Sequence, residues 1–194
     1  MAEIAVLASG SGSNFQNIVE FLSNTPHKVT LLITDRKQAF ALERAHKLGI
    51  PARYIPYVGR SRAESEEEIQ QELLKVKPDF IVLAGFMRIL SPLFISQWKD
   101  KIVNIHPALL PRHPGAHGIR DSFLSNDSQL GVTVHLVDEG VDTGKVLGQS
   151  HFTRESTDTL ESVELKLHAL EYDLYPKIIL QLCEANRFTK EIVS

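Results

Sequence analysis

The sequence predicts a three-layer α/β/α fold of the Rossmann type, built on a mostly parallel but mixed sheet. Short apolar segments that suit strands buried on both faces alternate along the chain with segments of helical apolar spacing. A loop of small residues, 9–14, joins the first strand to the first helix, as in the opening half of a mononucleotide-binding unit. Residues 131–137 alternate apolar and polar side chains, which is typical of an antiparallel or edge strand.

The elements follow from apolar spacing and from the positions of Gly and Pro. Strands are predicted over residues 3–8, 29–33, 52–55, 80–84, from 102 to about 106, 131–137 and 145–151. Helices are predicted over residues 14–22, 39–48, 64–76, 94–98 and 157–186. Pro176 is expected to kink or divide the last helix. In a fold of this class the functional site is expected at the carboxyl edges of the strands.

Length, charge and cysteine usage limit the possible functions. The chain has 194 residues, 43% of them hydrophobic, and is expected to form one domain over 1–194. A net charge of −3 with scattered basic residues disfavours a nucleic-acid partner. The single cysteine, Cys183, fits a reducing compartment. With no targeting segment or apolar run long enough to span a bilayer, we expect a soluble cytoplasmic protein without membrane contact, as a monomer or homodimer.

The loop at residues 9–14 predicts a phosphate site. Its glycines allow backbone amides to approach an anion, Ser11 and Ser13 offer hydroxyl donors, and the following helix contributes its positive end. It is neither a dinucleotide fingerprint, because Phe15 stands where the third glycine would be, nor a P-loop, because no lysine follows. The alternative is a tight strand-to-helix turn in which Asn14 is the N-cap.

A second candidate group consists of Asn104, His106 and Asp142. Asn104 and His106 are two residues apart on an extended segment, so their side chains point to the same face. A carboxylate near the histidine would favour its charged form, and an amide can donate to a developing oxyanion, which suits a tetrahedral intermediate. Asp138 and Glu139 are alternative carboxylate partners for His106.

A metal site is the competing interpretation of the histidines. Its ligands would be His106, His113, His117 and His135. Pro114 and Gly115 disfavour a helical ligand pair between His113 and His117, so no metal is expected.

Four motifs occur in order and together span nearly the whole chain: Gly12-Ser13-Asn14, Gly85-Phe86-Met87-Arg88-Ile89-Leu90, Asn104-Ile105-His106-Pro107 with Leu109-Leu110-Pro111, and Asp138-x-Gly140-x-Asp142-x-Gly144. This set resembles the phosphoribosylglycinamide formyltransferase family. The resemblance implies a formyltransferase-like fold and formyl transfer from 10-formyltetrahydrofolate, a co-substrate, to the amine of 5′-phosphoribosylglycinamide in purine biosynthesis.

The resemblance also implies residue roles. His106 would be the catalytic proton carrier, Asn104 an oxyanion donor, and Asp142 the group that orients His106 and favours its charged form. The ribonucleotide would be bound by Gly12, Ser13, Asn14 and Glu171, and the folate by Arg62, Met87, Arg88, Ile89, Leu90 and Asn104. Three positions depart from the family pattern: Lys145, Tyr172 and His168.

Other interpretations stay open at the level of sequence. Met87, Ile89 and Leu90 could be ordinary core, and Arg62 a solvated helix residue. The function could instead be that of a formyltetrahydrofolate deformylase or of a formyltransferase acting on methionyl-tRNA or an amino sugar nucleotide. A non-catalytic module that binds nucleotide phosphates is the alternative from another class. Relatives of the first two kinds usually carry an additional domain, which this sequence is not expected to contain.

Overall fold

The protein folds around one seven-stranded sheet with helices on both faces. The structure, a computed structural model, describes residues 1–125 and 127–193. The strands are β1 (Glu3–Leu7), β2 (Lys28–Thr34), β3 (Ala52–Tyr54), β4 (Phe80–Leu83), β5 (Ile102–His106), β6 (Gln129–Leu136) and β7 (Val146–Thr153). The helices are α1 (Ser13–Leu22), α2 (Phe40–Lys47), α3 (Arg62–Val76), α4 (Pro92–Gln97), α5 (Gly118–Leu124) and α6 (Leu160–Val193).

The sheet is mixed, as predicted. Its strand order is β3-β2-β1-β4-β5-β6-β7. The first five strands in this order are parallel to one another, whereas β6 is antiparallel to both β5 and β7. The order reverses direction between β1 and β4, and such a switch point opens a crevice at the carboxyl ends of the strands. The predicted fold class is confirmed.

Alternation along the strands supplies a core on each face of the sheet. From β1, Ile4 and Val6 pack with α1, α2 and α6, whereas Ala5 and Leu7 pack with α3 and α4. This explains why the strand reads as a continuous apolar run, because both of its faces are covered.

Helix α5 was not predicted. It has seven residues and begins shortly after Pro114 and Gly115, so it is too short to show several turns of apolar spacing. Two apolar residues four positions apart, Ile119 and Phe123, pack against the small core formed by β6 and α6.

Helix α6 continues through Pro176 instead of dividing there. Proline has no N–H, so in a helix the carbonyl four residues earlier, that of Tyr172, loses its usual donor. The side-chain amide of Asn17 on α1 donates to that carbonyl at 2.8 Å. A contact from the neighbouring helix therefore satisfies the group that the proline leaves free.

A double-mutant cycle tests whether the Asn17 side chain replaces the missing backbone donor. Asn17→Ala is expected to lower the free energy of unfolding by about 0.5–1 kcal/mol, because the Tyr172 carbonyl loses its donor. In a Pro176→Ala background the same change is expected to cost less, since the helix regains an N–H at that position. Urea denaturation of the four proteins measures both costs, and equal costs in the two backgrounds would contradict the explanation.

Candidate active site

Two loops meet at the switch point of the sheet. The loop after β1 and the loop after β4 are joined by the Ser9 N–H, which donates to the Gly85 carbonyl at 3.0 Å, and by the Met87 N–H, which donates to the Ser9 hydroxyl at 2.8 Å. The phosphate loop and the predicted folate segment are therefore held side by side. Strand β5, next to β4, carries the polar pair of Asn104 and His106 along the same edge.

Asp142 is the loop carboxylate that faces His106. Its Oδ2 atom lies 3.2 Å from His106 Nδ1 and accepts from the Gly115 N–H at 2.8 Å. Asp138, one of the two alternatives, instead accepts from the Gly140 N–H and the Thr143 hydroxyl, so it stabilises its own loop.

The loop that carries Asp142 depends on close approaches of its backbone. Asp142 itself has a left-handed conformation with φ of 56°. A Cβ atom on Gly144 would overlap the carbonyl oxygen of Leu136, so only glycine fits where the loop returns to β6. Lys145, a departure from the family pattern, keeps its carbonyl in the sheet, where it accepts from the Leu136 N–H at 2.9 Å.

Both ring nitrogens of His106 face acceptors. Nε2 lies 2.7 Å from the carbonyl oxygen of His113, and because a carbonyl can only accept, that nitrogen carries the proton. Nδ1 faces the Asp142 carboxylate. The surroundings therefore suit an imidazole protonated on both nitrogens, held at two points in a nearly buried position.

His135 belongs to the same group, although among the predicted site residues it appeared only in the metal alternative. Antiparallel pairing of β5 and β6 places it directly opposite Asn104. Its Nε2 atom lies 3.3 Å from Asn104 Nδ2 and 3.5 Å from Asp142 Oδ1, and Nδ1 lies 2.8 Å from the Leu136 carbonyl. The alternation of residues 131–137 was the signal that could have found it, since that pattern predicts an antiparallel partner for a neighbouring strand.

The environment of Asp142 favours the carboxylate. Burial alone would raise its pKa, but the nearby His135 ring, the donated Gly115 N–H and the nearby His106 ring outweigh burial and hold the pKa below its usual value. A charged carboxylate between two histidines is the result.

The predicted phosphate loop has the expected form, with a different cap. Gly12 is the N-cap of α1, with φ of 73°, and a Cβ atom there would lie 2.6 Å from the Ala41 side chain. The alternative in which Asn14 caps the helix is therefore wrong. The N–H groups of Ser13, Asn14 and Phe15 come before the first N–H that donates within the helix, that of Gln16 to the Gly12 carbonyl, and they lie at the positive end of the helix.

Asn14 instead pairs with Glu171 on α6. Asn14 Nδ2 donates to Glu171 Oε2 at 2.9 Å, and burial raises the pKa of the Glu171 carboxyl. One turn further along, the Tyr175 hydroxyl lies 2.9 Å from the Leu83 carbonyl and 3.1 Å from that of Val103. This hydroxyl fixes α6 against β4 and β5, so Glu171 is held over the strand ends beside the phosphate loop.

A mostly apolar cleft of about 280 Å³ lies on the other side of the polar group. Met87 and Ile89 line it and are 62% and 69% exposed, so the interpretation of these two as ordinary core is wrong. Leu90 also lines the cleft but is buried in the core with α3 and α4. The cleft reaches Asn104, His106, His135 and Asp142 at its inner end.

The two predicted arginines differ in their positions. Arg88 lines the cleft, with its Nε atom 2.6 Å from Asp35 Oδ2 and its guanidinium carbon 5.2 Å from the centre of the Tyr57 ring. Arg62 is the first residue of α3 and is exposed, and it is not among the described residues that line the cleft. Burial, together with the charges of Glu66 and Asp35, raises the pKa of Tyr57 despite both arginines.

A second cleft of about 610 Å³ lies on the other side of the phosphate loop. It is lined by Ser9, Gly10 and Ser11 together with residues 36–40. Arg36 and Lys37 make this cleft basic, so it is an alternative location for an anionic ligand.

Two kinds of feature are absent from the part of the chain that the structure describes. Among the side chains that the structure describes, no group of three or more from His, Cys, Asp or Glu is arranged to hold a metal ion. None of the helices in that part of the chain combines the length and apolar character that crossing a bilayer requires.

Comparison with known proteins gives the class to which this fold and site belong. The family model for formyl transferases matches residues 2–179, so the chain is a member of that family. It is 39% identical to the phosphoribosylglycinamide formyltransferase of Bacillus subtilis (strain 168), over 96% of this chain and 97% of that one. It is 38% identical to the trifunctional purine biosynthetic protein adenosine-3 of Chironomus tentans, over 91% of this chain and 13% of that one.

A solved structure narrows the class. The crystal structure of phosphoribosylglycinamide formyltransferase from Streptococcus pneumoniae TIGR4 matches with a TM-score of 0.88 at 41% identity, covering 94% of this chain and 99% of that one. Within the formyl transferases, the chain therefore belongs to the phosphoribosylglycinamide formyltransferase family, which confirms the resemblance predicted from the sequence motifs.

The electrostatic role of Asp142 predicts how stability changes with pH. Because the pKa of Asp142 is lower folded than unfolded, its charge stabilises the fold above the unfolded value near 3.8, and this stabilisation is lost as pH falls through the folded pKa. Urea denaturation between pH 7 and pH 3 should show Asp142→Asn losing less stability on acidification than the unchanged protein. Parallel pH curves for the two proteins would contradict this role.

Proposed function

We propose that this protein transfers a formyl group from 10-formyltetrahydrofolate to the amine of 5′-phosphoribosylglycinamide, a step of purine biosynthesis. The observation that carries the proposal is that Asn104, His106 and Asp142 line the apolar cleft together, at the edge of the sheet where the predicted phosphate loop leaves β1. Family membership supports the same reaction. Because elements from both halves of the chain contribute to this site, we propose that residues 1–194 act as one domain, in the cytoplasm and without a metal.

The ribonucleotide would bind at the α1 end of the site. Gly12, Ser13 and Asn14 would hold the phosphate through the first N–H groups of the helix. Glu171 would accept from a ribose hydroxyl. Asn14 Oδ1 supports this assignment, since it is buried without a hydrogen-bond partner among the described residues and is therefore available to a ligand.

The folate would bind along the apolar wall of the cleft. Met87 and Ile89 present exposed apolar side chains, and Leu90 closes the wall from the core. Arg88, held by Asp35, would be fixed beside the ligand, and Arg62 would reach it from the start of α3. Asn104 lies where this wall meets the polar group, so it can contact folate and the reacting atoms together.

The chemistry would proceed by direct transfer, without a covalent enzyme intermediate. The neutral amine attacks the formyl carbon, and the carbonyl oxygen becomes an oxyanion. Asn104 has two amide N–H groups, of which one faces His135, so the other is available to donate to that oxyanion. The charged His106 ring stabilises the oxyanion from nearby, with Asp142 holding its charge.

A proton must then move from the new ammonium to the folate nitrogen, so that the carbon–nitrogen bond to folate can break. The charged His106 ring would give a proton to the folate nitrogen and then accept one from the ammonium, or an ordered water would carry the proton. Of the two ring nitrogens, Nε2 suits this exchange better, because it is bonded to a neutral carbonyl whereas Nδ1 faces a carboxylate.

The experiment that tests the proposal follows the absorbance of the folate product, with and without the ribonucleotide. Turnover of 10-formyltetrahydrofolate that requires 5′-phosphoribosylglycinamide is the expected result. Release of folate product without the ribonucleotide would indicate a deformylase and contradict the proposal, as would the absence of any reaction.

His106→Ala is expected to lower kcat by roughly 10²-fold or more, with KM for both substrates changed only a few-fold, because the charged ring acts mainly in the transition state. Steady-state kinetics measure the effect. His151→Ala removes an exposed histidine from β7 and is the matched control, with kcat expected to be unchanged. Near-normal turnover by His106→Ala would remove His106 from the mechanism.

Glu171→Ala is expected to raise KM for the ribonucleotide about 10-fold while KM for folate stays within about twofold, since the carboxyl lies only at the ribonucleotide end. Glu164→Ala, at an exposed position on the same helix, controls for general effects on α6. An equal rise in both KM values would contradict the assignment of Glu171 to the ribonucleotide.

A further inference from the structure

The backbone from the loop after β5 to the first residue of α5 approaches the His106 ring and its partner at three points. The His113 carbonyl lies 2.7 Å from His106 Nε2, and the Gly115 N–H donates to Asp142 at 2.8 Å. A Cβ atom on Gly118 would lie 2.8 Å from His106 Nε2, so the start of α5 leaves space for the ring only because this residue is glycine. The position of this segment therefore sets the orientation of the imidazole.

The His113 side chain holds the residue whose carbonyl contacts His106. Its Nε2 atom lies 2.8 Å from Asp127 Oδ2, and Asp127 Oδ1 lies 2.7 Å from Arg112 Nη1. His113 has φ of 55°, a left-handed conformation that a residue other than glycine adopts only when its surroundings hold it. The contact with Asp127 is such a restraint.

Asp127 is in turn fixed at the end of α5. Its N–H donates to the Ser125 hydroxyl at 3.2 Å, and that hydroxyl donates to the Ser122 carbonyl at 2.7 Å. Helix α5 thus supports the ring from both of its ends, through Gly118 at its start and through Asp127, which follows its last turn and contacts His113.

We infer that His113 and Asp127 are positioning residues, which orient the catalytic histidine through the His113 carbonyl. This inference rests on the proposed function, since it assigns His113 and Asp127 a part in the same reaction. With the carbonyl in place, the imidazole is held at Nε2 as well as at Nδ1, so it cannot rotate away from the position in which it meets the oxyanion.

The charged groups around these residues show that the contact between His113 and Asp127 does not depend on ionisation of His113. His106 faces Asp142, which also faces His135, whereas His113 faces Asp127, which also faces Arg112. A neutral His113 can still donate its Nε2 proton to the Asp127 carboxylate, so the contact persists when the ring is uncharged.

The test compares His113→Phe, which keeps a ring but loses the donor, with Asp127→Ala. Each is expected to lower kcat about 10- to 10²-fold, with KM for both substrates within about twofold, because the reacting histidine is misplaced while the substrate ends are intact. The limb of the kcat–pH profile that His106 contributes is expected to move to lower pH, since the charged ring loses an acceptor. The double variant should lose no more than either single one.

Two further variants separate positioning from general stability. His113→Gln retains a side-chain donor for Asp127 and is expected to recover much of kcat. Arg112→Ala removes the other partner of Asp127 but keeps the contact with His113. Its kcat should therefore stay within about twofold of that of the protein without substitutions, and its kcat–pH profile should not move. Thermal unfolding of each variant verifies that it is folded, and Asp127→Ala carries the test where His113→Phe does not fold.

The outcomes distinguish the two proposals. If the protein without substitutions does not transfer formyl groups, that result contradicts the proposed function itself. If the unchanged protein is active, wild-type kcat and pH profiles in both His113→Phe and Asp127→Ala would overturn the inference alone. An equal loss in Arg112→Ala, with no movement of the pH profile in any variant, would also overturn it, because that pattern reports only stability.

Discussion

The rest of the site depends on the contacts of the Asp142 carboxylate. It joins two antiparallel strands, with one oxygen 3.2 Å from His106 of β5 and the other 3.5 Å from His135 of β6. The antiparallel register also sets His135 opposite Asn104, so the amide and both imidazoles converge on one face. The loop must turn tightly to bring this carboxylate to the two histidines. This requirement explains why residue 144 is glycine and why the backbone of Asp142 is left-handed.

Sheet topology brings the loops that we propose bind the two ligands to the same edge as this group. The strand order reverses between β1 and β4, so the loops after these strands meet. Strand β5 lies next to β4 and carries its polar residues at the same edge. The Tyr175 hydroxyl, bonded to carbonyls of β4 and β5, brings α6 and Glu171 to the same edge. Residues far apart in sequence therefore act together because the sheet and one long helix fix them.

Much of this arrangement follows from local sequence. The strands, the mixed sheet, and the common face of Asn104 and His106 all follow from periodicity, which depends only on neighbouring residues. The choice of Asp142 over Asp138, the role of His135, and the exposure of Met87 and Ile89 depend on tertiary pairing, which periodicity does not encode. Helix α5 was not predicted because its seven residues are too few to show a repeating apolar pattern. Helix α6 runs through Pro176 because a side chain of another helix, Asn17, replaces the missing donor.

The most direct measurement is a crystal structure of the protein with 5′-phosphoribosylglycinamide and a non-transferable analogue of 10-formyltetrahydrofolate. The account predicts the phosphate at the N–H groups of Gly12 to Asn14 and the folate along Met87 and Ile89. The reacting amine should lie within about 3–3.5 Å of the formyl carbon, beside Asn104 and His106. A ribonucleotide bound instead in the basic cleft of Ser9, Arg36 and Lys37, away from His106, would contradict it.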